Sequence, residues 1–410
     1  MSLNSSVPSV FSRVIVIVLD SVGIGALEDA GTYGDEGSNT LGNIARVVPL
    51  QLPTLRQMGI DRLVNLGGPA PRIGPVGAYG RMAEASAGKD SVTGHWEMMG
   101  IVLDRAFPVF PNGFPPELIR EFERRIGRGT LGNYAASGTK IIDDLGREHV
   151  RTGKPIIYTS ADSVFQIAAH EDVIPLDEQY RINAIAFDLM VRGHGLGRVI
   201  ARPFRGEPGD FKRTSNRRDF AMQPTAETVL DRLTATGTPV IAIGKIEDLF
   251  AGRGISRALH AVSDAEGMDW VIHEMESTAR GLIFANLVDC DTLYGHRNDV
   301  KGYAANLEQF DGRLRQLLPR LRDEDLLIVT ADHGNDPTTP STDHSREHVP
   351  LLATGGRVKG GVNLGTHKTF ADLGQTVAET FGVGPMRHGT SFLSLLVGNQ
   401  SDTLQSANLK

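Results

Sequence analysis

The chain has 410 residues, 40% of them hydrophobic and 22% charged, which is an ordinary globular composition at a length that favours two domains. With 42 basic and 49 acidic side chains the net charge is −7, which excludes a general nucleic-acid binder and leaves room only for local basic patches. A single cysteine, Cys290, excludes an intrachain disulfide framework, and the longest apolar run, Val14 to Leu19, is far too short to span a bilayer. With no signal-peptide cleavage pattern, the expectation is a cytoplasmic monomer with no membrane partner.

Met1 to Ser9 reads as a disordered leader. Val14 to Leu19 follows as a continuous β-branched run, the pattern of a strand buried on both faces of a parallel sheet. From Leu103 to Gln223 the texture changes to more Gly, Pro and charge, with strands of its own at Pro155–Tyr158 and Arg198–Ala201. Turn clusters at Phe107–Gly113 and Ala221–Pro224 are candidate hinges. The first pattern then resumes. Ala226, Val229, Leu230 and Leu233 have helical spacing with Gly237 as a cap, and Pro239–Ile243 is a further buried strand. Gly281–Val288 and Asp325–Thr330 are two more. Apolar stripes at Leu307, Phe310, Leu314, Leu317 and Leu321, and at Phe370, Leu373, Val377 and Phe381, predict helices; the second stripe closes at Gly382. The tail from Gly398 to Lys410 is polar and expected to fray. Strands alternating with helices predict a doubly wound α/β core over residues 10–102 and 224–397, interrupted by an inserted α+β cap over 103–223.

Three core strands end in acid: Asp20 after the first, Asp289 and Asp291 after Gly281–Val288, and Asp332, followed by His333, after Asp325–Thr330. Ligands of open α/β sheets bind at the carboxyl ends of strands. One strand-end Asp is most often a helix N-cap, but three converging on one sheet edge would repel unless a cation lies between them. Four of the 12 histidines, His296, His333, His344 and His348, fall within this same part of the chain. A mixed Asp/His set suits Zn²⁺ or Mn²⁺, and six or seven such ligands suffice for the paired cations used in phosphoryl transfer. The small-residue loop Gly88–Gly94 offers the hydroxyls of Ser91 and Thr93, with His95-Trp96-Glu97 opening a helix.

Five segments resemble the phosphopentomutases: Asp20–Gly25, Gly88–Gly100, Asp289–Arg297, Ala331–Pro337 and Thr342–His348. The cap segments Tyr158–Ser163, Arg198–Phe204 and Gly206–Gly209 match the same family. The metal motifs alone are those of the wider alkaline phosphatase superfamily; the cap and the Gly-His-Trp-Glu loop give the narrower resemblance, which runs from about Arg13 to Leu396. It implies an alkaline phosphatase-like core and two Mn²⁺ ions, one held by Asp291, His296 and His344, the other by Asp20, Asp332 and His333. Asp289 and His348 then fall outside the ligand set. The family carries threonine at the nucleophile position where this chain has Ser91, so Ser91 is the expected phosphorylated residue, with Thr93 as the fallback.

The resemblance further implies interconversion of (deoxy)ribose 1-phosphate and 5-phosphate through a phosphoserine enzyme and a 1,5-bisphosphate, with a sugar bisphosphate as activator. Small sugar phosphates are thus the expected partners. Arg198 to Arg218 carries seven basic residues against two acidic ones, and arginine forks suit phosphate. Arg202, Arg213 and Lys245 are candidate phosphate contacts, and Asp162 a candidate partner of ribose hydroxyls; the bland alternative is a solvated basic loop. Two rival readings remain at this point. One is a cofactor-independent phosphoglycerate mutase or a phosphatase of the same superfamily. The other is an acidic module whose metals only stabilise the fold.

Overall fold

The computed structural model describes residues 10–69, 72–160 and 163–397. The leader Met1–Ser9, the tail Gly398–Lys410 and Asp162 lie outside the described residues. Two compact units form, one from Met1–Arg105 with Pro224–Lys410 and the other from Ala106–Gln223.

The first unit is built on an eight-stranded sheet. Its central strand, Arg13–Leu19, is buried along its whole length, as its unbroken β-branched run requires. Parallel neighbours flank it: Gly281–Leu287 on one side, with Leu19 beside Leu287, and Asp325–Thr330 on the other, with Val18 beside Thr330. This register brings the carboxyl ends of all three strands to one edge. Val240–Ile243 and Arg257–Leu259 extend the sheet in parallel beyond Gly281–Leu287. The opposite side departs from the all-parallel pattern. Val349–Thr354 runs antiparallel to Asp325–Thr330 and Ala78–Met82 antiparallel to it in turn, with Asn363–His367 parallel at the edge. The antiparallel return has a consequence for chemistry: the segment between Thr330 and Val349 leaves and re-enters the sheet at the same edge, which keeps its histidines there.

The helices follow the predicted stripes with adjusted ends. Val229–Ala235 starts after Ala226 because Thr228 and Asp231 form a reciprocal capping box, and Gly237, at φ 75°, follows its end. Val300–Leu317 covers its stripe as far as Leu317, with Leu321 extended past the short 3-10 turn Leu318–Arg320. Ala371–Phe381 starts one residue after Phe370, and Gly382 takes the left-handed conformation at φ 67° that ends it. Ser91–Met98 begins four residues earlier than His95, because the Asp90 carboxylate caps it by accepting from the N–H groups of Val92 and Thr93. No helix among the described residues is long and apolar enough to cross a membrane.

The second unit has a sheet ordered Leu131–Ala135, Ile156–Thr159, Val164–His170, Arg198–Arg205, Lys212–Arg213, with Arg218–Ala221 also paired to Arg198–Arg205. Helices Pro116–Ile126 and Leu176–Ala186 cover one face around Phe114, Phe122 and Phe165. Gly138–Thr152 covers the other around Ile141, Tyr158 and Phe204. Each sheet face thus buries its own apolar cluster, which gives this unit an independent core.

At the root of the central strand, buried Arg13 donates through Nε and Nη2 to both oxygens of Asp325, at 2.9 and 2.5 Å, and through Nη1 to the carbonyl of Thr278 at 2.7 Å. The pair joins register partners on adjacent strands. Removing one member strands a buried charge, which typically costs about 3–5 kcal/mol. Arg13→Met is expected to lower unfolding stability by that amount in urea titration, and adding Asp325→Leu is expected to recover most of it.

Candidate metal centre

The shared edge of the three central strands gathers the acidic and imidazole side chains. Asp20 follows Leu19 directly, Asp291 lies four residues past Leu287 in a short helical turn, and Asp332 lies two past Thr330. His333 Nε2 stands 3.4 Å from Asp20 Oδ1 and 3.4 Å from Asp332 Oδ2. Asp291 is flanked by His296, with Nε2 3.2 Å from Oδ2, and by His344, with Nε2 3.4 Å from Oδ1. The His333 and His344 rings stack with centroids 4.0 Å apart, which joins the two groups into one cluster. Asp291, His296 and His344 have ligand atoms mutually within 4.8 Å, and so do Asp20, Asp291 and His333.

The donor set fits divalent cations. Asp20 Oδ1 and Asp332 Oδ2 are buried with no hydrogen-bond donor, a costly state for carboxylate oxygens unless a cation faces them. Histidine tautomers are set from behind: His296 Nδ1 donates to the Thr342 carbonyl at 2.7 Å and His333 Nδ1 to the Gly334 carbonyl at 3.1 Å, leaving each Nε2 for the cluster. Asn286 donates to Asp20 and Asn335 to Asp291, at 3.2 and 3.0 Å. The turn after Asp20 places Ser21 at φ 73°, where its N–H donates to Asp332 Oδ1 at 3.1 Å. This left-handed serine is a strained conformation of the kind that persists at functional sites.

The protonation states separate by surroundings. Burial, reinforced by Asp332, pushes Asp20 up to about 6 against the pull of Lys245, whose Nζ lies 3.8 Å away. Burial also acts on Asp332, but His333 and His95 outweigh it and hold this carboxyl below its usual range. Asp291 is likewise held well below that range, because His344 and His296 more than offset its burial.

Ser91 opens its helix with Oγ 3.1 Å from His333 Nε2, whereas the hydroxyl of Thr93 is turned away to donate to Asp90 at 2.6 Å. The motif that follows is explained residue by residue. A Cβ on Gly94 would meet the Asp332 carbonyl at 2.4 Å, so glycine permits the helix to lie against the metal-edge loop. His95 Nδ1 donates to the Ser91 carbonyl at 2.8 Å and lies 3.3 Å from Asp332 Oδ2. Trp96 Nε1 donates to the Leu249 carbonyl at 2.8 Å. The buried Glu97 carboxylate accepts from the N–H groups of Ala85, Ser86 and Phe370 and from the Thr369 hydroxyl.

Of the remaining candidates, Asp289 accepts from the N–H of Asp264 at 2.8 Å, and His348 Nδ1 donates to the Gly25 carbonyl at 3.3 Å; neither belongs to the cluster. In the second unit, Arg202 donates to Gln166 at 3.1 Å, and burial together with Arg217 lowers its pKa to about 10. Arg213 is exposed on its short strand. Tyr158, whose buried hydroxyl has no hydrogen-bond partner, feels Arg202, Arg213 and Arg217 together. His95, Asn286, Asn335 and Arg217 were not singled out from sequence. His95 and Asn335 were marked only by lying in the Gly88–Gly100 and Ala331–Pro337 segments, and Arg217 only as one of the basic residues of Arg198–Arg218; Asn286 carried no signal.

Comparison with known proteins agrees with this geometry. Residues 12–385 match the family model described as the Metalloenzyme superfamily. A phosphopentomutase from Caldanaerobacter subterraneus subsp. tengcongensis is 56% identical over 93% of this chain and 97% of its own length. One from Acetivibrio thermocellus is 54% identical over 94% of this chain and 100% of its own. The chain belongs to the phosphopentomutase family. Among solved structures, a member of the alkaline phosphatase superfamily from Vibrio parahaemolyticus is similar with a TM-score of 0.40 and 11% identity, covering 92% of this chain and 67% of that one.

The Glu97 carboxylate anchors the helix that presents Ser91, and an amide cannot accept at its nitrogen. Glu97→Gln is therefore expected to set an N–H donor against another and to destabilise the chain by about 2–3 kcal/mol, read as a lowered denaturation midpoint.

Proposed function

We propose that this chain interconverts the 1-phosphate and 5-phosphate of ribose or deoxyribose, through a phosphorylated Ser91 and a 1,5-bisphosphate. The observation that carries this reading is the position of Ser91 Oγ, 3.1 Å from His333 Nε2 at the edge of a buried cluster of three aspartates and three histidines. The relatives' activity supports the choice of substrate.

In this reading Asp291, His296 and His344 hold one divalent cation and Asp20, Asp332 and His333 hold the other, with Mn²⁺ as the ion. Cations bound there supply charge neutralisation at the phosphoryl oxygens and favour the alkoxide form of the serine. The protein's part is arrangement. The helix starting at Ser91 presents the hydroxyl at its first residue, and its cap, Asp90, takes the N–H groups of Val92 and Thr93 and holds the first turn rigid. In the first half-reaction a free hydroxyl of the pentose phosphate attacks phospho-Ser91. A P–O bond forms to the sugar oxygen as the bond to Ser91 Oγ breaks, and the hydroxyl proton balances the released serine oxygen. The second half-reaction reverses this with the other phosphate of the bisphosphate and regenerates phospho-Ser91. A sugar bisphosphate then serves as activator, because it phosphorylates the resting serine.

Substrate recognition is assigned to cationic groups. Lys245 lies at the core edge beside Asp20, and Arg202 and Arg213, with Arg217, surround the Tyr158 hydroxyl in the second unit. Asp162 keeps its role with the ribose hydroxyls by resemblance alone. A cytoplasmic monomer acting on small sugar phosphates completes the reading, supported by the lone, buried Cys290.

Three measurements test it. Incubation with ribose 1,5-bisphosphate and peptide mapping by mass spectrometry is expected to place one phosphate on Ser91. Ser91→Ala is expected to lose turnover by on the order of 10⁴-fold or more while keeping its metal; retained turnover removes the nucleophile assignment. Asp332→Asn and His296→Ala are expected to weaken Mn²⁺ binding by at least about 10–100-fold in calorimetric titration, and unaltered binding in both overturns the ligand set.

A further inference from the structure

Two cationic side chains tie the loop carrying Ser91 to the segment carrying His344, and they reach in opposite directions. Lys89, two residues before Ser91, sends Nζ to both carboxylate oxygens of Asp35, at 3.1 and 3.0 Å, and to within 3.5 Å of Asp343 Oδ2. Asp343 adjoins His344 and accepts its backbone N–H at 2.8 Å. Arg346, two residues after His344, reaches back. Its buried guanidinium donates to the carbonyls of Gly88, Ser86 and Glu84 at 2.7, 2.8 and 2.9 Å, and to the carboxylates of Glu84 and Asp29 at 2.7 and 3.0 Å. Asp35 meets both segments, since Oδ2 also accepts the backbone N–H of Arg346 at 2.9 Å. Tyr33 completes the join: its hydroxyl accepts from the Gly88 N–H at 3.1 Å, and its ring lies 5.1 Å from the Arg346 guanidinium carbon.

We propose that Lys89 and Arg346 are positioning residues, a reciprocal clasp that fixes where Ser91 Oγ stands against His333 and His344. The inference rests on the proposed role of Ser91. Lys89 is directed at Asp35 and Asp343, so it sets the loop rather than touching the phosphoryl group. Its partners say what it sets, because one of them is the direct neighbour of His344. Phosphoryl transfer requires reacting atoms about 3–3.5 Å apart in line, and an error of about 1 Å costs on the order of 10²-fold in rate. The Lys89–Asp35 pair is mostly buried, but Asp35 keeps the backbone N–H of Arg346 as a donor when Lys89 is replaced, so its charge is not left unpartnered and the loss should register in chemistry before stability. Arg346 is different: five acceptor groups converge on its guanidinium, and its removal would disturb the fold as well.

The test therefore uses Lys89. Full-length wild type, Lys89→Met and Lys89→Arg are compared for kcat, KM, bound Mn²⁺, thermal midpoint and the rate of phosphate incorporation into Ser91 from ribose 1,5-bisphosphate. Lys89→Met is expected to lower kcat and the labelling rate by about 10–100-fold with KM, metal stoichiometry and thermal midpoint held, and Lys89→Arg to recover most of the loss. Asp343→Asn, which weakens the other end of the clasp and keeps the residue's shape, is expected to give a smaller loss of the same kind. It decides the matter if Lys89→Met does not fold. Unchanged labelling in Lys89→Met, or a loss that tracks metal or thermal stability, overturns the clasp while leaving the Ser91 mechanism standing. A wild type labelled elsewhere than Ser91 overturns both.

Discussion

The structure is organised around three buried carboxylates that share one edge of a parallel sheet. Asp20, Asp291 and Asp332 each follow a strand whose register with the central strand leaves no freedom in where the chain emerges. The strands are apolar throughout because they are covered on both faces, and their packing energy holds the carboxylates together against mutual repulsion. Asp20 shows the cost, with its pKa raised by burial and by Asp332. Histidines from two returning segments offset part of it, and the oxygens left without donors mark where cations would offset the rest.

Around this edge the protein uses ionic and hydrogen-bonded anchors where apolar packing would leave loops free. Buried Glu347 accepts from the N–H groups of Gly25 and Thr40 and from the hydroxyls of Thr40 and Ser345, binding the turn after Asp20 to the loop after His344. Glu97 does the same for the helix that presents Ser91. Such carboxylates would be unfavourable in isolation, but each is surrounded by donors, so it cross-links several backbone segments through one side chain.

The strands that position the site were legible because fully buried parallel strands write themselves as continuous apolar runs, and the acids that follow stand out against them. Val349–Thr354 was not legible: Pro350 argues against an interior strand, yet it pairs with Arg81 inside the sheet. That strand turns the whole Thr330–Val349 segment back to the active edge, so the closeness of His344 to Asp291 was suggested by motif resemblance rather than by any local pattern. The helix start was placed at His95 rather than Ser91 because the Gly-rich surroundings read as a loop, although Asp90 caps the first turn. Asn286 carried no signal, since a lone amide in a strand has no periodicity that reveals what it faces, and Asn335 was marked only by lying in the Ala331–Pro337 segment. The arginines of the second unit showed as a charge cluster, but which of them act on Tyr158 through their charge depends on pairing between Arg198–Arg205 and its two antiparallel neighbours.

Serine at position 91, where the resemblance leads one to expect threonine, is understandable from the same geometry. A threonine side chain has its rotamer restricted by the branched carbon, so its hydroxyl direction is partly set by its own covalent structure. Serine lacks that restraint, and its direction must come from outside. Here the first helical turn is fixed by Asp90, which takes the N–H groups of Val92 and Thr93 and the Thr93 hydroxyl, while His333 takes up the serine hydroxyl itself. The entropy that serine retains when unbound is removed by contacts with groups that also belong to the metal edge. The direction of the Ser91 hydroxyl therefore depends on the rigidity of its loop more than that of a self-directing threonine would, and the ion pair of Lys89 with Asp35 is part of what holds that loop.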